Sequence, residues 1–208
     1  MWRMLQLADS AFPTGGFAHS YGLEAASQAG EATDLRRFTR DAIWQAGFGA
    51  LPLVRAAFLD PGALPALDAR ADAFLVNHVA NRASRTQGRA FLSTCARIFP
   101  GRVPLAGGLH LHLAPLWGAV FRALDLRLED AQRLQLWATA RGVLSAGVRL
   151  GLAGTLEAQA MLAGLDPVLD EVLACCSELG PESLAQPAPL ADLLSATHDR
   201  LYSRLFQS

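Results

Sequence analysis

Residues 129–150 read EDAQRLQLWATARGVLSAGVRL and form the longest helical pattern in the chain. Within this stretch, the residues of one helix face recur every three or four positions: Leu134, Trp137, Arg141, Leu144 and Val148. Comparable spacing recurs on both sides, and no segment of useful length alternates with period two as a half-buried strand does. The sequence therefore predicts an all-α fold, built as a single irregular helical bundle.

Turn and capping residues divide the rest of this pattern into further helices. Thr33 is predicted to cap a helix that ends at residues 60–62, which read DPG. Thr155 and Asp166 are predicted to cap two later helices, the second of them opening on a proline. The remaining predicted helices cover residues 20–29, 64–80, 84–99 and 113–124.

The last part of the chain is predicted to be separate from the bundle. Residues 180–189 contain three prolines and are typical of a linker, and residues 190–208 then mix leucines with histidine and arginine in an amphipathic pattern. We therefore divide the chain into a helical domain, residues 1–180, and a linker with a C-terminal partner-binding segment, residues 181–208. We refer to residues 190–208 as the tail and expect it to need a partner to order it.

Composition narrows the class of protein. The 208 residues are 51% hydrophobic and 18% charged, with a formal net charge of −1. Soluble domains carry roughly 25% charged residues, so the apolar excess indicates a large core or a surface that partners cover. The charge balance favours neither nucleic acid nor an anionic membrane as a partner. Three cysteines, two of them adjacent, are typical of a reducing compartment, and we expect a cytoplasmic protein.

All 18 basic residues are arginine, and this excludes several kinds of site. A Walker-type phosphate site and a Schiff base both need a lysine. Gly15 and Gly16 stand before a helical pattern, but no strand precedes them, as a dinucleotide site requires. We predict that Pro13, Gly15 and Gly16 form a tight turn that aims nearby aromatic side chains into a core or an interface.

His19, Ser20 and Glu24 are residue types of a catalytic triad in a short stretch. On a helix, Ser20 and Glu24 would share a face, whereas His19 would lie about 100° from Ser20. A triad is recognised by geometry, and this spacing does not provide it. We therefore predict that Ser20 caps a helix and that Glu24 is a solvent or interface carboxylate, with catalysis by these groups as the weaker alternative.

Two further clusters have more than one interpretation. His110 and His112 have metal-like spacing, yet no nearby cysteine or carboxylate completes a site, so they are only weak metal candidates beside an ordinary loop or interior histidine. Arg82, Arg85 and Arg89 are spaced to share one helix face. That face is either solvated or recognises an acidic or phosphate-bearing partner, and the sequence leaves both open.

Five stretches carry a resemblance to a known family. They read LQLADSAFPTGGFAHSYGLE at residues 5–24, ANRASRTQGRAFL at 80–92, HLHLAPLWGAVFRALDL at 110–126, SAGVRLGLAGTLEAQ at 145–159 and THDRLYSRLFQS at 197–208. In sequence and order they resemble the urease accessory protein F family, UreF. The first and last stretches are the most specific, because their turn glycines and aromatic-arginine pattern are hard to obtain by chance.

This resemblance implies a non-catalytic, all-helical factor of urease maturation, a co-chaperone for nickel insertion. It implies a homodimer that bridges a UreD/UreH-type scaffold and a UreG-type GTPase on apo-urease. Nickel and GTP are then implied only through the partners, with no cofactor bound by this chain. Regulation of the GTPase, or a helical interaction module without a urease role, are the alternatives.

The resemblance also assigns partner-interface residues, and it gives the tail the UreD/UreH-type partner. Tyr202 and Phe206 are expected to be apolar anchors there, with Arg200 and Arg204 as charged orienting groups. The complete set of interface residues that the motifs carry over is Phe12, Pro13, Gly15, Gly16, His19, Tyr21, Glu24, Arg82, Gln87, Gly88, His198, Arg200, Tyr202, Arg204 and Phe206.

Overall fold

The computed structural model describes residues 1–31, 34–103 and 107–208, and every regular element within those ranges is helical. The predicted all-α fold is therefore confirmed. The helices in chain order are α1 (Trp2–Ala8), α2 (Leu23–Gln28), α3 (Leu35–Gly49), α4 (Leu51–Leu59), α5 (Leu64–Phe74), α6 (His78–Ile98), α7 (Leu113–Ala123), α8 (Leu128–Arg149), α9 (Thr155–Ala163), α10 (Asp166–Cys176) and α11 (Pro189–Ala196).

One hydrophobic cluster is built around α7, which packs against α4, α5 and α6. The ring of Trp117 stacks on those of Phe91 and Phe121, with centroids 4.9 Å and 5.0 Å away. A side chain on Gly118 would collide with the backbone oxygen of Val54, so glycine is what lets α4 and α7 approach so closely. Each fully buried large apolar side chain in such a cluster contributes roughly 1.5–3 kcal/mol.

A second hydrophobic cluster lies between α3, α8 and α10. Ile43, Val143 and Val172 are fully buried in it. The long helix α8 serves both clusters, because Leu134 packs in the first and Leu136 packs in the second. The stretch whose spacing predicts the fold is therefore also the element that joins its two cores.

Several predicted helix limits differ from those observed. The predicted break between residues 80 and 84 is wrong: the chain breaks at residues 75–77, where the Asn77 side chain accepts hydrogen bonds from the first amides of α6. Gly154, not Thr155, precedes α9, and Asp166 lies inside α10. Thr33 is outside the described residues, and the N-cap of α3 is Asp34. Helix α1 has no counterpart among the predicted helices.

Helices α3 and α4 together form an apolar stretch, Leu35–Leu59, that is long enough to cross a membrane by length and composition alone. Within the bundle, this stretch places Ile43, Leu51 and Val54 at zero exposure. The apolar composition of this stretch therefore also fits helices in a protein core, because a helix that is buried on more than one face needs apolar side chains on each of them.

Candidate partner-docking site

The predicted tight turn follows α1. Gly15 has a φ of 74°, and Gly16 begins a single turn of 3₁₀ helix, Gly16–Ala18. The turn directs Phe12 into the first core cluster, where its ring centroid lies 6.4 Å from that of Phe91, but it leaves Phe17 exposed. His19 is extended, and a turn at Tyr21 and Gly22 leads into α2. The predicted cap at Ser20 is wrong, because the N-cap of α2 is Gly22.

Glu24 lies in the first turn of α2 and is only 2% exposed. Its carboxylate accepts three hydrogen bonds from the tail: from Nε2 of His198 at 2.9 Å, from the amide of Leu205 at 2.6 Å and from the amide of Phe206 at 3.2 Å. We call this group the Glu24 clamp. A solvent position for Glu24 is thus wrong, because the carboxylate is an internal acceptor for the last residues of the chain.

The residues just before Glu24 bind the end of the tail directly. Ser20 donates to the backbone oxygen of Ser208 twice, from its amide at 2.6 Å and from its hydroxyl at 2.9 Å. The Nδ1 atom of His19 is hydrogen-bonded to the hydroxyl of Ser208, and the amide of Gln207 donates to the oxygen of Ala18. Because His19 and Ser20 precede α2, the helical angle argued for them from sequence does not apply. Their polar groups instead hold the tail.

The aromatic ring of Phe206 closes this contact. It is 5% exposed, and the guanidinium of Arg149 lies over it at 4.1 Å and over the ring of Phe17 at 3.9 Å. The same guanidinium donates to the backbone oxygen of Phe17. Arg149, at the end of α8, therefore joins the N-terminal turn to the end of the tail, a role that no local sequence pattern indicates.

Between its two clamped points, the tail forms an exposed loop, residues 199–204, which we call the tail loop. Tyr202 is fully exposed in it, and Arg200 and Arg204 are exposed on either side. Arg82 of α6 donates to Asp199 through both terminal nitrogens, at 2.7 Å and 3.0 Å. Of the residues expected to anchor a partner, Tyr202 is thus fully exposed, whereas Phe206 is buried in its own chain.

Electrostatics favour this docked tail at neutral pH. Burial, then the charge of Arg82 and then His198, lowers the pKa of His19 to about 4, so its imidazole is neutral beside Ser208. Hydrogen bonding from Arg82 holds the pKa of Asp199 below its usual value. The carboxylate at the start of the tail loop therefore stays ionised, and Arg82 keeps its partner.

Comparison with known proteins identifies the family of this chain. Residues 30–166 match the family described as UreF. The chain belongs to the UreF family. Urease accessory protein F of rice, Oryza sativa subsp. indica, is 34% identical over 220 residues, which cover 99% of this chain and 84% of the rice protein.

Relatives occur in both plants and bacteria. Urease accessory protein F of Arabidopsis thaliana is 34% identical over 221 residues, which cover 100% of this chain and 92% of the relative. Urease accessory protein UreF of Cereibacter sphaeroides is 35% identical over 216 residues, which cover 99% of this chain and 97% of the relative. The similarity therefore includes the N-terminal turn and the tail as well as the helices between them.

Three site residues are assigned from sequence in the motif at residues 80–92, and two of them, Gln87 and Gly88, have a structural role. Gln87 and Gly88 are buried on α6, and a side chain on Gly88 would collide with the backbone oxygen of Leu111. Arg82 alone reaches the surface, where it binds Asp199. Of the site residues assigned from sequence, His19, Glu24, Arg82, His198 and Phe206 are connected through the tail, whereas Gln87 and Gly88 are buried on α6.

His110 and His112, the weak metal candidates, lie in the loop before α7. His112 is fully buried, and its two ring nitrogens are each 3.1 Å from a partner, Ser84 Oγ and Asp72 Oδ1. Burial lowers the pKa of His112, and the bond to Asp72 acts in the opposite direction. Within the described ranges, no three histidine, cysteine, aspartate or glutamate side chains are grouped to hold a metal ion.

Sequence reasoning missed Asp68, which organises this same loop. It is 1% exposed in α5, and its carboxylate accepts hydrogen bonds from the amides of three successive residues, His110, Leu111 and His112. The only local signal is an aspartate at a position of α5 where the helical pattern places apolar residues.

Proposed function

We propose that this UreF family member is a nickel-insertion co-chaperone that bridges a UreD/UreH-type scaffold and a UreG-type GTPase on apo-urease. In this proposal the protein is a cytoplasmic homodimer without catalytic activity. Nickel and GTP are held by the partners, and this chain supplies binding surfaces. The relatives that share nearly the whole chain are named urease accessory proteins, which supports the broader role.

The tail loop is the observation that carries the proposal. It displays a fully exposed tyrosine between two exposed arginines, and the clamp fixes the chain on both sides of it. Tyrosine and arginine are the side chains that most often dominate protein–protein interfaces. Nearby, α11 turns Leu190 and Leu193 outward, so the same part of the chain exposes further apolar surface.

The triad-type residues have partners that suit binding better than catalysis. The hydroxyl of Ser20 donates to a backbone oxygen, His19 faces Ser208, and Glu24 faces His198. A nucleophile needs its base within hydrogen-bond reach and a third group to orient that base. His19, Ser20 and Glu24 form no such series among themselves, because each of these three polar groups is used to hold the tail.

The test is capture of purified partners, followed by urease activation. We expect wild-type protein to capture the UreD/UreH-type scaffold, and Tyr202→Ala to weaken this capture about tenfold. Leu156→Ala, which removes a largely exposed apolar side chain on α9, is the control and should capture the scaffold normally. Deleting residues 197–208 should abolish capture while the helical circular dichroism survives.

Reconstitution then tests the function itself. Apo-urease supplied with nickel, GTP and the other accessory proteins should gain activity only when this chain is added. Equal activation without this chain, or full scaffold capture by the protein lacking residues 197–208, would refute the proposal.

A further inference from the structure

The arginines of α6 line an open groove beside the tail loop. Arg82, Arg85 and Arg89 share this groove with Val76 and with other residues at the start of α6, and its volume is about 630 Å³. Asp72 is the single carboxylate among the described residues that line it. The structure thus brings together, on one surface, the three arginines whose spacing predicts a common helix face.

Two of these arginines have no ionic partner. Arg82 is engaged by Asp199, but within the described residues no carboxylate oxygen lies within 4.0 Å of a nitrogen of Arg85 or Arg89. Both side chains are exposed on α6. Unpaired arginines next to each other repel, so the groove carries an electrostatic cost that a negatively charged ligand would relieve.

The positive charge continues onto the tail loop. Arg204 approaches Asp199 at 3.5 Å, so Asp199 is shared between α6 and the tail, and Arg200 is in the same turn as Asp199. This surface therefore has five arginines, those of the groove and those of the tail loop, against Asp72 and Asp199. The whole chain has a formal net charge of −1, so this local excess of positive charge is a property of one face.

The chemistry of the groove favours carboxylates on a protein. A guanidinium binds a carboxylate through two parallel hydrogen bonds, and two free guanidinium groups one helical turn apart suit two acidic side chains. Val76, 79% exposed, adds an apolar contact in the same groove. No phenylalanine, tyrosine or tryptophan is among the described lining residues, although aromatic rings are what single-stranded nucleic acids stack on.

We propose that the α6 groove, at Arg85, Arg89 and Val76, docks an acidic and partly apolar segment of a partner protein. This inference rests on the proposed function, because it specifies the surface chemistry of one of the maturation partners. Carboxylates of the docked segment form ion pairs with the guanidinium groups of Arg85 and Arg89. An apolar side chain of the same segment packs against Val76. The tail loop and the groove then form one continuous binding face, joined by Arg82 and Asp199.

The first experiment uses a fluorescent synthetic peptide of alternating glutamate and leucine as the probe, with the full-length protein. We expect the peptide to bind wild type, with an affinity that falls as salt is added. Arg85→Glu/Arg89→Glu should weaken binding at least about tenfold. The matched control is Arg36→Glu/Arg40→Glu on α3, which makes the same charge change on two exposed arginines at the same spacing and should bind like wild type.

Four results would overturn the inference. These are no binding of the peptide to wild type, equal losses in the two double variants, tighter binding of a single-stranded oligonucleotide of equal charge, and equally strong binding of inorganic phosphate. Val76→Ser gives an independent readout, since it should weaken binding of the glutamate–leucine peptide but not of a glutamate–serine peptide.

A second experiment separates this inference from the proposed function. Purified scaffold and GTPase are each offered to wild type and to both double variants. If wild type, Arg85→Glu/Arg89→Glu and the control all captured the partners equally, the proposed docking in the groove would be refuted. The proposed function would not be affected by that result. Capture of neither partner by wild type, together with peptide binding that depends on Arg85 and Arg89, would refute the function and support the groove.

Discussion

Two buried carboxylates, Glu24 and Asp68, perform the same local task with different consequences. Each gathers backbone amides of a loop and lies near a fully buried histidine, His198 in one case and His112 in the other. Asp68 fixes a loop that leads straight into α7, at the centre of the first core. Glu24 fixes the end of the chain, whose neighbouring side chains are largely exposed.

The difference lies in what can move when the carboxylate is lost. The loop at His110 cannot leave Asp68 without pulling α7 from its core. We expect that the tail can leave Glu24 and become solvated while the bundle stays folded, although Phe206 then leaves the second hydrophobic cluster. The same hydrogen-bonding device therefore stabilises the whole fold in one place and the docking site in the other.

The largest expected effect comes from Asp68→Ala. Three amides before α7, that of His112 buried and those of His110 and Leu111 partly buried, would lose a charged acceptor. We expect the free energy of unfolding to fall by about 3 kcal/mol. Urea denaturation followed by circular dichroism measures this change. Asp60→Ala is the control, because Asp60 is exposed and accepts one amide hydrogen bond, from Gly62, so its loss should cost about 1 kcal/mol. If both substitutions lowered the free energy of unfolding equally, Asp68 would have no special role in stabilising the fold.

Glu24→Ala should have a smaller effect on global stability and a larger one on the tail. We expect a loss of about 2 kcal/mol at most, because undocking of the tail limits the cost. Hydrogen exchange should show the amides of Leu205 and Phe206 losing protection while those of α7 and α8 keep theirs. Loss of protection throughout the bundle would show that the clamp belongs to the core.

Acidification should loosen the end of the tail through His19, whose Nδ1 atom is hydrogen-bonded to the hydroxyl of Ser208. Its pKa of about 4 in the folded protein is below the usual 6.5, so the unfolded chain binds this proton more readily. Tail docking should therefore weaken as pH falls from 6.5 to 4 and be insensitive to His19 above that window. His19→Asn should flatten the dependence of Leu205 and Phe206 exchange on pH.

His78 is not a suitable control for this pH experiment, because its Nε2 atom lies 3.2 Å from Asp199 Oδ2 in the tail loop. The control is His110→Gln, which removes an exposed histidine in the loop before α7. It should leave the pH dependence of tail exchange as in wild type. The lowered pKa of His112 acts in the same direction on global stability, so the readout must be the exchange of tail amides rather than the melting temperature. An unchanged pH profile in His19→Asn would exclude His19 as the titrating group.

The smallest expected effect is at the turn that leads to Glu24. Gly15→Ala forces a side chain into the left-handed region, at a φ of 74°, and should cost about 1 kcal/mol. Gly16→Ala should be close to neutral, because the nearest atoms to its new Cβ would be Thr14 Oγ1 at 3.5 Å and Gln87 Oε1 at 3.8 Å. Thermal melts of the two single variants measure the difference, and equal melting temperatures would contradict this account of the turn.

The helical architecture could be predicted from sequence because its signals are local. The spacing of Leu134, Trp137 and Leu144 within one stretch is enough to predict α8. The sequence does not mark the break before α6 correctly, because Leu75 and Val76 continue the apolar pattern and only the cap at Asn77 marks the start of the helix. Such a cap is one polar residue among many, and its role shows only when its amide partners are known.

The clamp could not be predicted from local pattern because its two sides are far apart in the chain. Glu24 and His198 are 174 positions apart, and Glu24 alone looks like any acidic residue in a first helical turn. The family resemblance indicated that both ends of the sequence matter but not that they touch. Contacts of this kind follow from the packing of the whole bundle, which brings α2, α8 and the tail to one side.

Because the clamp joins both ends of the tail loop, residues 199–204 behave like a peptide that has been cyclised. A cyclic ligand has lost most of its conformational freedom before it meets a receptor, so less of the interaction energy is spent on ordering it. Tyr202 is thus presented in a restricted set of directions. Acidification, by protonating His19 beside Ser208, would loosen the chain just beyond this ring and so weaken its C-terminal closure.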